Sequence, residues 1–584
     1  MTFENGETQE ITNSLTLNGA ASNLLSLVSD SATNAWFINT TGASVSLDYL
    51  SVTDSTSTIE LIPTNSEDGG RNTNWSFGKD FSGILYSGEG VSPLEGKTIA
   101  ISVNGAVAAA TDNTDGSGAY ALENVEVEDG DIILIYVDGE TEKACLVTVI
   151  SKEDLSGLDL YQNRVIVRYD YTGASLTNAN LLAADNGDSD LLYSVSGSDL
   201  TLGANQELFV WSGDTYVPGG NVTTTHLDIR GALTAGSNTF TLSGNFNNQG
   251  TFTANASTVT FNDNTQASII SGSTTFYKFN TTTAGKTLTF TRTTTQTITN
   301  MFTLTGTAAS AITINDTGSG ALPKITLSAG CIQSISNATV TNNDASGGLE
   351  LIARDTSSLT NTTNWVLGSV GTDITWTGGT STDWNDSTNW DKGIMPSESD
   401  EATISAAGFQ PIILSANTTL GGLTVDPSAE LSTQGNTLTV NGATVLNGTL
   451  NTGISTVTIT GNVTAGSNGA IEGTTATVSI GGYVGTRQTP IAINYTGTIT
   501  LGAGGMDGFT SISVNVTGGN CTYADNIPGL VYQNNDLRSH IGQAGIRERL
   551  RIGDGIFHPN MMRFDHNMDN FMFSNPIDLE WLGN

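Results

Sequence analysis

Residues 226–264 read HLDIRGALTAGSNTFTLSGNFNNQGTFTANASTVTFNDN, and short apolar pairs recur along this stretch and beyond it. Within most pairs one polar residue separates two apolar ones, a spacing of two that is typical of β-strands. The Gly, Asn and Ser residues between the pairs predict turns. Strands this short and this evenly spaced predict a β-solenoid, in which every coil buries its inward apolar row against the next coil. The pairs are Leu227/Ile229, Phe240/Leu242, Val259/Phe261, Phe276/Phe279 and Leu288/Phe290.

One segment of the chain occurs twice. Residues 60–78 read ELIPTNSEDGGRNTNWSFG, and residues 350–368 read ELIARDTSSLTNTTNWVLG, at a constant offset. The offset places Glu60 on Glu350 and Trp75 on Trp365. Further upstream, LTLNGAASNLLSL at 15–27 matches LTGTAASAITI at 304–314 with a small gap. A repeated unit of about 65 residues is therefore predicted, which is typical of repeat architectures.

The two copies are preceded by different lengths of chain. Residues 226–303 come before the second copy, whereas only about fourteen residues come before the first, so its opening coils are missing if it closes a solenoid. An uncovered coil end exposes unpaired backbone N–H and C=O groups. Two explanations stay open: cleavage from a longer repetitive precursor, or coils supplied by a neighbouring subunit. Both predict assembly.

The opening MTFENGETQE lacks the basic and apolar regions of a secretion signal.

A second solenoid is predicted from residue 370 onward. The opening ITWTGGTSTDWNDSTNWDKGIMPSESDEATI resembles the Trp-rich start of repeat units in bacterial autotransporters and filamentous adhesins. The matching residues are Trp376, Gly378, Trp384, Asn389, Trp390, Gly393, Pro396, Asp400 and Ile404. The resemblance implies that the tryptophans cap the first coil and that the protein serves in adhesion, in a fibre or in a surface layer. The inward candidates that follow are Leu423, Val425, Leu438, Val440, Val457, Ile459, Val478 and Ile480.

Residues 80–152 have longer alternating strands and a tight DNTDGSG turn. This stretch resembles the small β-sandwich of carboxypeptidase-regulatory and Ig-like surface modules, on the strength of Thr114, Gly118 and Tyr120. The resemblance implies a spacer or stalk.

The composition changes again in the tail at residues 521–584, which holds three of the four histidines and four of the eight methionines. Met and Phe at this density make adaptable, adhesive contacts. We expect the arginine-rich, apolar tail to bind the acidic body of another copy. The expected assembly residues are Arg547, Arg549, Arg551, Met561, Met562, Phe571 and Trp581.

The predicted fold class is all-β: a chain of right-handed β-solenoid segments with a small Ig-like β-sandwich and an irregular C-terminal tail. The predicted modules are a truncated solenoid unit (1–79), the sandwich (80–152), a β connector (153–225), a solenoid (226–369), a second solenoid with a Trp-rich cap (370–520) and the tail (521–584). Trp75, Trp365, Trp376, Trp384 and Trp390 lie at repeat ends, where capping an apolar coil is a simpler role than stacking on sugars.

Composition and charge exclude two classes of partner. The 20 basic and 57 acidic residues give a net charge of -37, so nucleic acid is not expected, because phosphate binding needs clustered Lys and Arg. The chain contains no run of about 18 apolar residues, so membrane insertion is not expected. Only 13% of residues are charged, and 67 are glycine. This acidic, neutral-polar composition is expected of an extracellular or cell-surface protein. The odd number of cysteines, three, predicts buried free thiols.

Calcium is the ligand ion that the sequence favours most. Asp112 and Asp115 lie in a tight glycine-containing loop, and Asp185, Asp188 and Asp190 form a second acidic cluster. Calcium binds six to eight oxygen ligands, which such loops can supply. Neither cluster matches a complete calcium-loop motif, and Asp is also an ordinary turn residue. No other cofactor is expected.

No catalytic residues are predicted. Nucleotide-binding and hydrolase motifs are absent, and the carboxylates of the solenoid regions are scattered. The sequence therefore favours a non-enzymatic structural subunit of an extracellular fibre, sheath or surface layer, joined to copies of itself. One alternative is a monomeric adhesin stalk that binds glycans or another cell. A polysaccharide-degrading β-helix enzyme is a further alternative, and it requires carboxylates beside Arg on one outer face.

Overall fold

The computed structural model describes residues 1–20, 23–410, 416–466, 468–473 and 477–480, and the backbone of five strands between residues 492 and 532. The protein is nearly all β, with 51% strand and 3% helix. Its residues form two compact units, the first from 1–278 and 286–294, the second from 279–285 and 295–584.

The N-terminal segment, before Lys79, forms ten strands: β1 (Thr2–Phe3), β2 (Thr8–Glu10), β3 (Ser14–Asn18), β4 (Leu25–Ser29), β5 (Trp36–Asn39), β6 (Ser44–Asp48), β7 (Leu50–Val52), β8 (Ser55–Leu61), β9 (Glu67–Asp68) and β10 (Thr73–Trp75). They pair in parallel as β1-β4-β7-β9, β2-β5-β8-β10 and β3-β6. Leu27, Trp36, Ile38 and Leu50 are buried in the core that these three sides enclose.

The next segment contains β11 (Lys79–Tyr86), β12 (Thr98–Val103), β13 (Ala106–Asn113), β14 (Ala119–Val125), β15 (Ile132–Val137), β16 (Cys145–Val149), β17 (Leu160–Tyr161), β18 (Arg164–Val167), the helix α1 (Asn178–Ala184), β19 (Tyr193–Ser196), β20 (Asp199–Leu202), β21 (Glu207–Val210), β22 (Thr215–Tyr216) and β23 (Val222–Thr224). Strands β12, β13, β15 and β16 are antiparallel, and β14-β11-β17 forms a second sheet.

The residues that carry the sandwich resemblance hold the second segment together. The Thr114 hydroxyl donates to Leu94 O and accepts from Lys97 N, at 2.7 and 2.9 Å. Gly118 has a φ of 75°, a left-handed conformation that favours glycine. The buried Tyr120 hydroxyl donates to Leu158 O. All three residues therefore have structural roles at the edges of one apolar core.

A parallel ladder continues from the antiparallel sheet, because β16 pairs in parallel with β18 and β18 with β21. Further strands follow: β24 (His226–Ile229), β25 (Ala232–Thr234), β26 (Thr239–Leu242), β27 (Phe246–Asn248), β28 (Thr251–Thr253), β29 (Thr258–Phe261), β30 (Ser268–Ser271), β31 (Thr274–Thr281) and β32 (Thr287–Phe290). Three parallel ladders grow side by side, and Val222, Phe240 and Val259 stack in one of them. The five predicted apolar pairs are buried, as the spacing indicated.

The second unit starts with the second copy of the repeat, which comprises β33 (Thr295–Thr305), β34 (Ile312–Asp316), β35 (Lys324–Leu327), β36 (Ile332–Ser336), β37 (Ala338–Asp344), β38 (Leu351–Ala353), β39 (Ser358–Thr363) and β40 (Trp365–Leu367). Leu351 pairs with Trp365, as Leu61 pairs with Trp75 in the first copy. Gly19 and Gly306 hold equivalent turns, where a Cβ would lie 2.1 Å from Tyr49 O and 2.4 Å from Asn337 O.

Backbone conformation confirms that the two copies are one repeated unit. Five positions of the first copy have a positive φ, and the five matching positions of the second copy have it too. Left-handed non-glycine residues are uncommon, so the coincidence is specific. The matched residues are Tyr49 and Asn337, Asp54 and Asn342, Asn65 and Asp355, Arg71 and Asn361, and Asn74 and Asn364.

The rest of the second unit consists of β41 (Asp373–Trp376), β42 (Glu401–Ile404), β43 (Thr418–Leu420), β44 (Gly422–Val425), β45 (Glu430–Ser432), β46 (Leu438–Val440), β47 (Thr444–Leu446), β48 (Thr449–Gly453), β49 (Thr456–Ile459), β50 (Val463–Ala465), β51 (Ala470–Gly473), β52 (Thr477–Ile480), β53 (Ala492–Tyr495), β54 (Thr498–Leu501), β55 (Ile512–Val516), β56 (Cys521–Tyr523) and β57 (Leu530–Tyr532), with short 3-10 helices at Gly368–Val370 and Ser387–Asn389. These strands form three parallel ladders of five, six and six strands. The eight predicted inward residues, from Leu423 to Ile480, are buried.

Candidate functional site

Three tryptophans form one buried cluster where the ladders of residues 371–480 begin. The Trp376, Trp384 and Trp390 side chains are 0%, 2% and 3% exposed. The ring of Trp390 meets Trp376 and Trp384 edge to face, with centroids 5.1 and 4.7 Å apart. Its indole N–H donates to Trp384 O at 3.0 Å. Rings this buried cannot stack on a sugar in this conformation, which favours the packing role over the sugar-binding one.

Trp75 and Trp365 occupy equivalent places on the last strands of the two repeat copies. The indole N–H of Trp75 donates to Ser55 Oγ, and that of Trp365 donates to Asn343 Oδ1, both at 2.9 Å. Trp365 is 7% exposed, whereas Trp75 is only half-buried. The hydrogen bonds fix each ring against its own repeat copy.

A buried ion pair joins the second repeat copy to Asp400, which follows the tryptophan cluster in the sequence. Arg354 Nη2 lies 2.9 Å from Oδ2 of Asp400, a carboxylate with no exposed surface. The same guanidinium donates to Met395 O at 2.7 Å. Asp400 also accepts hydrogen bonds from the backbone and hydroxyl of Ser397 and from Thr372 N. Burial lowers the pKa of Arg354 below its ordinary value, which is the expected effect of removing a cation from water.

A shallow groove of about 560 Å³ lies beside this junction in the second unit. Leu359, Trp365 and Val370 line it, and the ion pair between Glu350 and Lys392 (3.4 Å) lies at its side. Val370 is 80% exposed. The groove combines an apolar wall with charges that already neutralise each other.

Five charged side chains of the first unit form what we name the arginine–carboxylate face: Glu89, Arg164, Glu207, Asp228 and Arg230. Arg164 contacts Glu89 at 3.4 Å and Glu207 at 2.7 Å, and Arg230 contacts Glu89 at 3.0 Å and Asp228 at 2.9 Å. The parallel strands β18, β21 and β24 carry Arg164, Glu207 and Asp228. Arg164 pairs with Glu207, the β24 partner of Glu207 lies two residues before Asp228, and Arg230 directly follows β24.

Aromatic rings lie directly under these charges. The guanidinium carbons of Arg164 and Arg230 are 4.9 and 5.8 Å from the ring centre of Phe209, and that of Arg168 is 4.9 Å from the ring of Trp211. Cation–π contacts of this kind stabilise a cation that has lost part of its water. The arginines therefore cover an apolar core as well as pairing with the carboxylates.

Burial perturbs the carboxyl group of Glu207. Burial raises its pKa to about 7, although the positive charge of Arg164 opposes the shift. Its Oε1 atom lies 2.7 Å from Arg164 Nε without meeting hydrogen-bond geometry. A carboxyl group that is half protonated near neutral pH is able to give or take a proton.

Replacing Glu207 with Gln is expected to remove part of the pH dependence of stability. The folded pKa of about 7 lies above the ordinary value of 4.5, so the contribution of Glu207 is fully present below pH 4.5 and is lost as pH rises to about 7. Over this range the wild type should lose about 1–3 kcal/mol more than the variant. Urea unfolding at several pH values measures the free energy of unfolding of the wild type and of the variant. Glu126→Gln, at an exposed position, is the control. Parallel curves for wild type and Glu207→Gln would refute the assignment.

The predicted calcium residues Asp112 and Asp115 bind backbone groups of their own turn. Asp115 Oδ1 accepts from the Ser117 hydroxyl and from Ser117 N and Ala119 N, and these bonds, the hydroxyl first, lower the pKa of Asp115. Asp112 accepts from Asn113 N and Ala121 N. Each carboxylate therefore already has a role in holding the turn, and calcium binding there stays a prediction.

Among the described residues, one acidic group brings three carboxylates within 4.8 Å of one another: Asp138, Asp188 and Asp190. The sequence grouped Asp185 with the last two, but the fold brings Asp138 there, from the loop after β15. Lys143 forms an ion pair with Asp190, and Gly139 N donates to the same carboxylate. The ammonium group of Lys143 therefore neutralises part of the negative charge of the three carboxylates, which a bound cation would otherwise balance.

Two of the three cysteines are described, and both Cys145 and Cys331 are buried and free, as predicted. Burial raises the pKa of each thiol to about 12, so neither is a nucleophile at neutral pH. The predicted assembly residues lie outside the described residues: Arg547, Arg549, Arg551, Met561, Met562, Phe571 and Trp581.

The described part of the chain contains no helix long and apolar enough to span a membrane. No protein-family model, no curated protein and no solved structure matches the chain.

Proposed function

We propose that the parallel ladders are coils of β-solenoids and that the antiparallel double layer is the Ig-like module. Leu420, Val440, Ile459 and Ile480 support the first part, because they lie in register on successive strands at nearly equal sequence spacings and are buried. The right-handed winding is part of this proposal. The sandwich proposal rests on the two sheets that share the core around Phe81, Ile101 and Ile135.

We infer that the protein is a structural subunit of an extracellular fibre, sheath or surface layer, and that copies join through uncovered coil ends and the C-terminal tail. One observation carries the proposal. Among the described residues, β1, β2 and β3 each pair with a single neighbouring strand, so the first coil has a free edge on all three sides. A free parallel edge is a template for another chain.

The direction of the free edge follows from two hydrogen bonds. Asn13 O accepts from Ser44 N at 2.9 Å, and Gly19 N donates to Asp48 O at 2.9 Å, so odd-numbered residues of β3 face β6. Even-numbered residues, including Thr16, therefore aim their N–H and C=O groups at the free edge. Closing the edge with a coil from a second copy would pair these groups.

Replacing Thr16 with Pro tests the edge directly. Proline removes the outward N–H of an exposed residue and blocks strand addition, while the bonds to β6 remain. We expect sedimentation velocity to show self-association of the full chain weakened by about tenfold or more. Ser46→Thr on the paired strand is the matched control and should associate as the wild type. If Thr16→Pro folds by circular dichroism and still assembles like the control, the edge has no part in assembly.

The arginine–carboxylate face favours a second candidate function, cleavage of acidic polysaccharides. Its support is the raised pKa of Glu207 beside Arg164 and Asp228. Against it stands the pairing of the charges with one another, which leaves no free guanidinium on this face to neutralise a substrate acid. If Glu207→Gln abolishes a measured cleavage of polyuronic acids, this candidate replaces the structural one. A monomeric adhesin stalk remains the other alternative, and retention on a glycan array distinguishes it.

A further inference from the structure

The two copies of the repeat differ in whether one of their faces is covered. Val45, Ile59 and Ile62 of the first copy are 37%, 42% and 49% exposed. Their equivalents are Gln333, at an offset of 288, and Leu349 and Ile352, at an offset of 290. Gln333 is 2% and Ile352 is 0% exposed, whereas Leu349 is half-buried. We name the first set the open face. The backbone conformations of the two copies match, so the difference in exposure arises from their side chains and from what covers them.

A short loop covers this face in the second copy. The Gln333 amide donates to Lys392 O at 2.8 Å, Gln333 N donates to Gly393 O at 3.0 Å, and Arg354 donates to Met395 O. Ile352 belongs to the same apolar core as Ile394, and Met395 packs against that core. The covering segment is Gly393-Ile394-Met395-Pro396, an apolar pair between a glycine and a proline.

The first copy lacks the polar groups that hold such a loop and gains apolar surface instead. Val45 replaces Gln333, and Thr64 replaces Arg354. Thr64 N donates to Leu47 O at 3.0 Å, so the segment after Ile62 lies alongside β6, which carries Val45. Val45 and Ile62 therefore lie on neighbouring segments, and large aliphatic side chains left exposed together mark an interaction surface.

The C-terminal tail contains a segment similar to the covering loop. Residues 555–559 read Gly-Ile-Phe-His-Pro, with an apolar pair after a glycine and a proline close behind. Arg547, Arg549 and Arg551 precede them, together with Glu548 and Asp554. The first copy is strongly acidic, with nine Asp and Glu against a single Arg before Lys79. Residues 547–559 carry a net charge of +1, three Arg against Glu548 and Asp554, which is opposite in sign to that of the first copy, and Ile556 and Phe557 complement the open face.

We propose that the open face of one copy binds residues 555–559 of a second copy, as residues 393–396 cover the equivalent face within the chain. Ile556 and Phe557 fill the place that Ile394 and Met395 take in the second repeat copy, and the arginines pair with acids of the first. This inference rests on the proposed function, because it names the surface that receives the tail.

Cysteine cross-linking of full-length chains tests the contact. In a background with Cys521 replaced by Ser, Ile62→Cys and Ile556→Cys are introduced into separate chains, which are then mixed and oxidised. The two remaining native thiols are buried. We expect a disulfide-linked heterodimer in the mixture, at least tenfold above the level with Val107→Cys, an exposed control at 62% on a different strand. Ile62→Asp should also weaken self-association by about tenfold, because a carboxylate would lie in an apolar contact.

The outcomes separate this inference from the proposed function. A chain that assembles, yet gives no heterodimer above the control and tolerates Ile62→Asp, refutes the tail contact and leaves assembly standing. A third chain that carries both Ile62→Cys and Ile556→Cys is oxidised alone, and a disulfide that forms only within that chain, with none between the separately substituted chains, refutes the contact between two copies. A chain that stays monomeric at all concentrations refutes both.

Discussion

Replacing Asp400 with Ala is expected to lower the free energy of unfolding of the second unit by about 3–5 kcal/mol. Asp400 is fully buried and is the ion-pair partner of Arg354, whose side chain is only 25% exposed. Its loss leaves the guanidinium without a counter-charge and leaves Thr372 N and Ser397 N without their acceptor. Urea unfolding of the full-length chain, monitored by hydrogen exchange of the backbone amides in residues 371–404, measures the loss of stability.

Two further variants make the Asp400 prediction specific. Asp373→Asn removes an exposed carboxylate from the same region and should change stability by less than about 0.5 kcal/mol. Replacing both partners, Arg354→Met with Asp400→Leu, should cost less than Asp400→Ala alone, because no unpaired charge stays buried. A loss below about 1 kcal/mol for Asp400→Ala would show that the ion pair does not hold the junction.

Replacing Trp390 with Ala is expected to cost about 3–5 kcal/mol in the same unit, because a large buried side chain leaves a cavity. Trp390 contacts both other rings of the cluster and donates its N–H to Trp384 O. Trp390→Phe should cost less, since the ring contacts largely remain. Trp75→Ala, at a half-buried position, should cost less than Trp390→Ala.

The tryptophan prediction also separates packing from sugar binding. If Trp390→Ala leaves the unfolding curve unchanged and abolishes retention on glycans, the ring is a ligand-binding group and the cluster opens in solution. A stability loss with unchanged glycan retention supports the packing role.

The strands and their inward residues are predictable from sequence because both depend on local spacing. The alternation at Phe240/Leu242 and Val457/Ile459 indicates the buried side directly, and the constant offset between matching segments indicates the repeat. Register is not local. Arg164, Glu207 and Asp228 form one face only because β18, β21 and β24 are neighbours in the sheet. The sequence around each residue does not indicate which strands become neighbours. The same holds for Asp138, which joins Asp188 and Asp190 from a loop that is distant in sequence.

The buried ion pair shows a second limit of sequence reasoning. The resemblance of the Trp-rich segment singles out Asp400 but not its partner, because Arg354 belongs to the repeat. Comparison of the copies offers a signal: Arg354 replaces Thr64 where the following modules differ. A residue that changes between otherwise matching repeats is a natural place to look for contacts with whatever comes next.

Negative-stain electron microscopy of the full-length chain over a range of concentrations tests the central claim most directly. Strand edges that lack a partner strand should recruit other copies, so filaments, sheets or ordered oligomers are expected to grow as concentration rises. Single particles of one chain at every concentration would contradict the account, since the edge of β1, β2 and β3 would then need no second molecule.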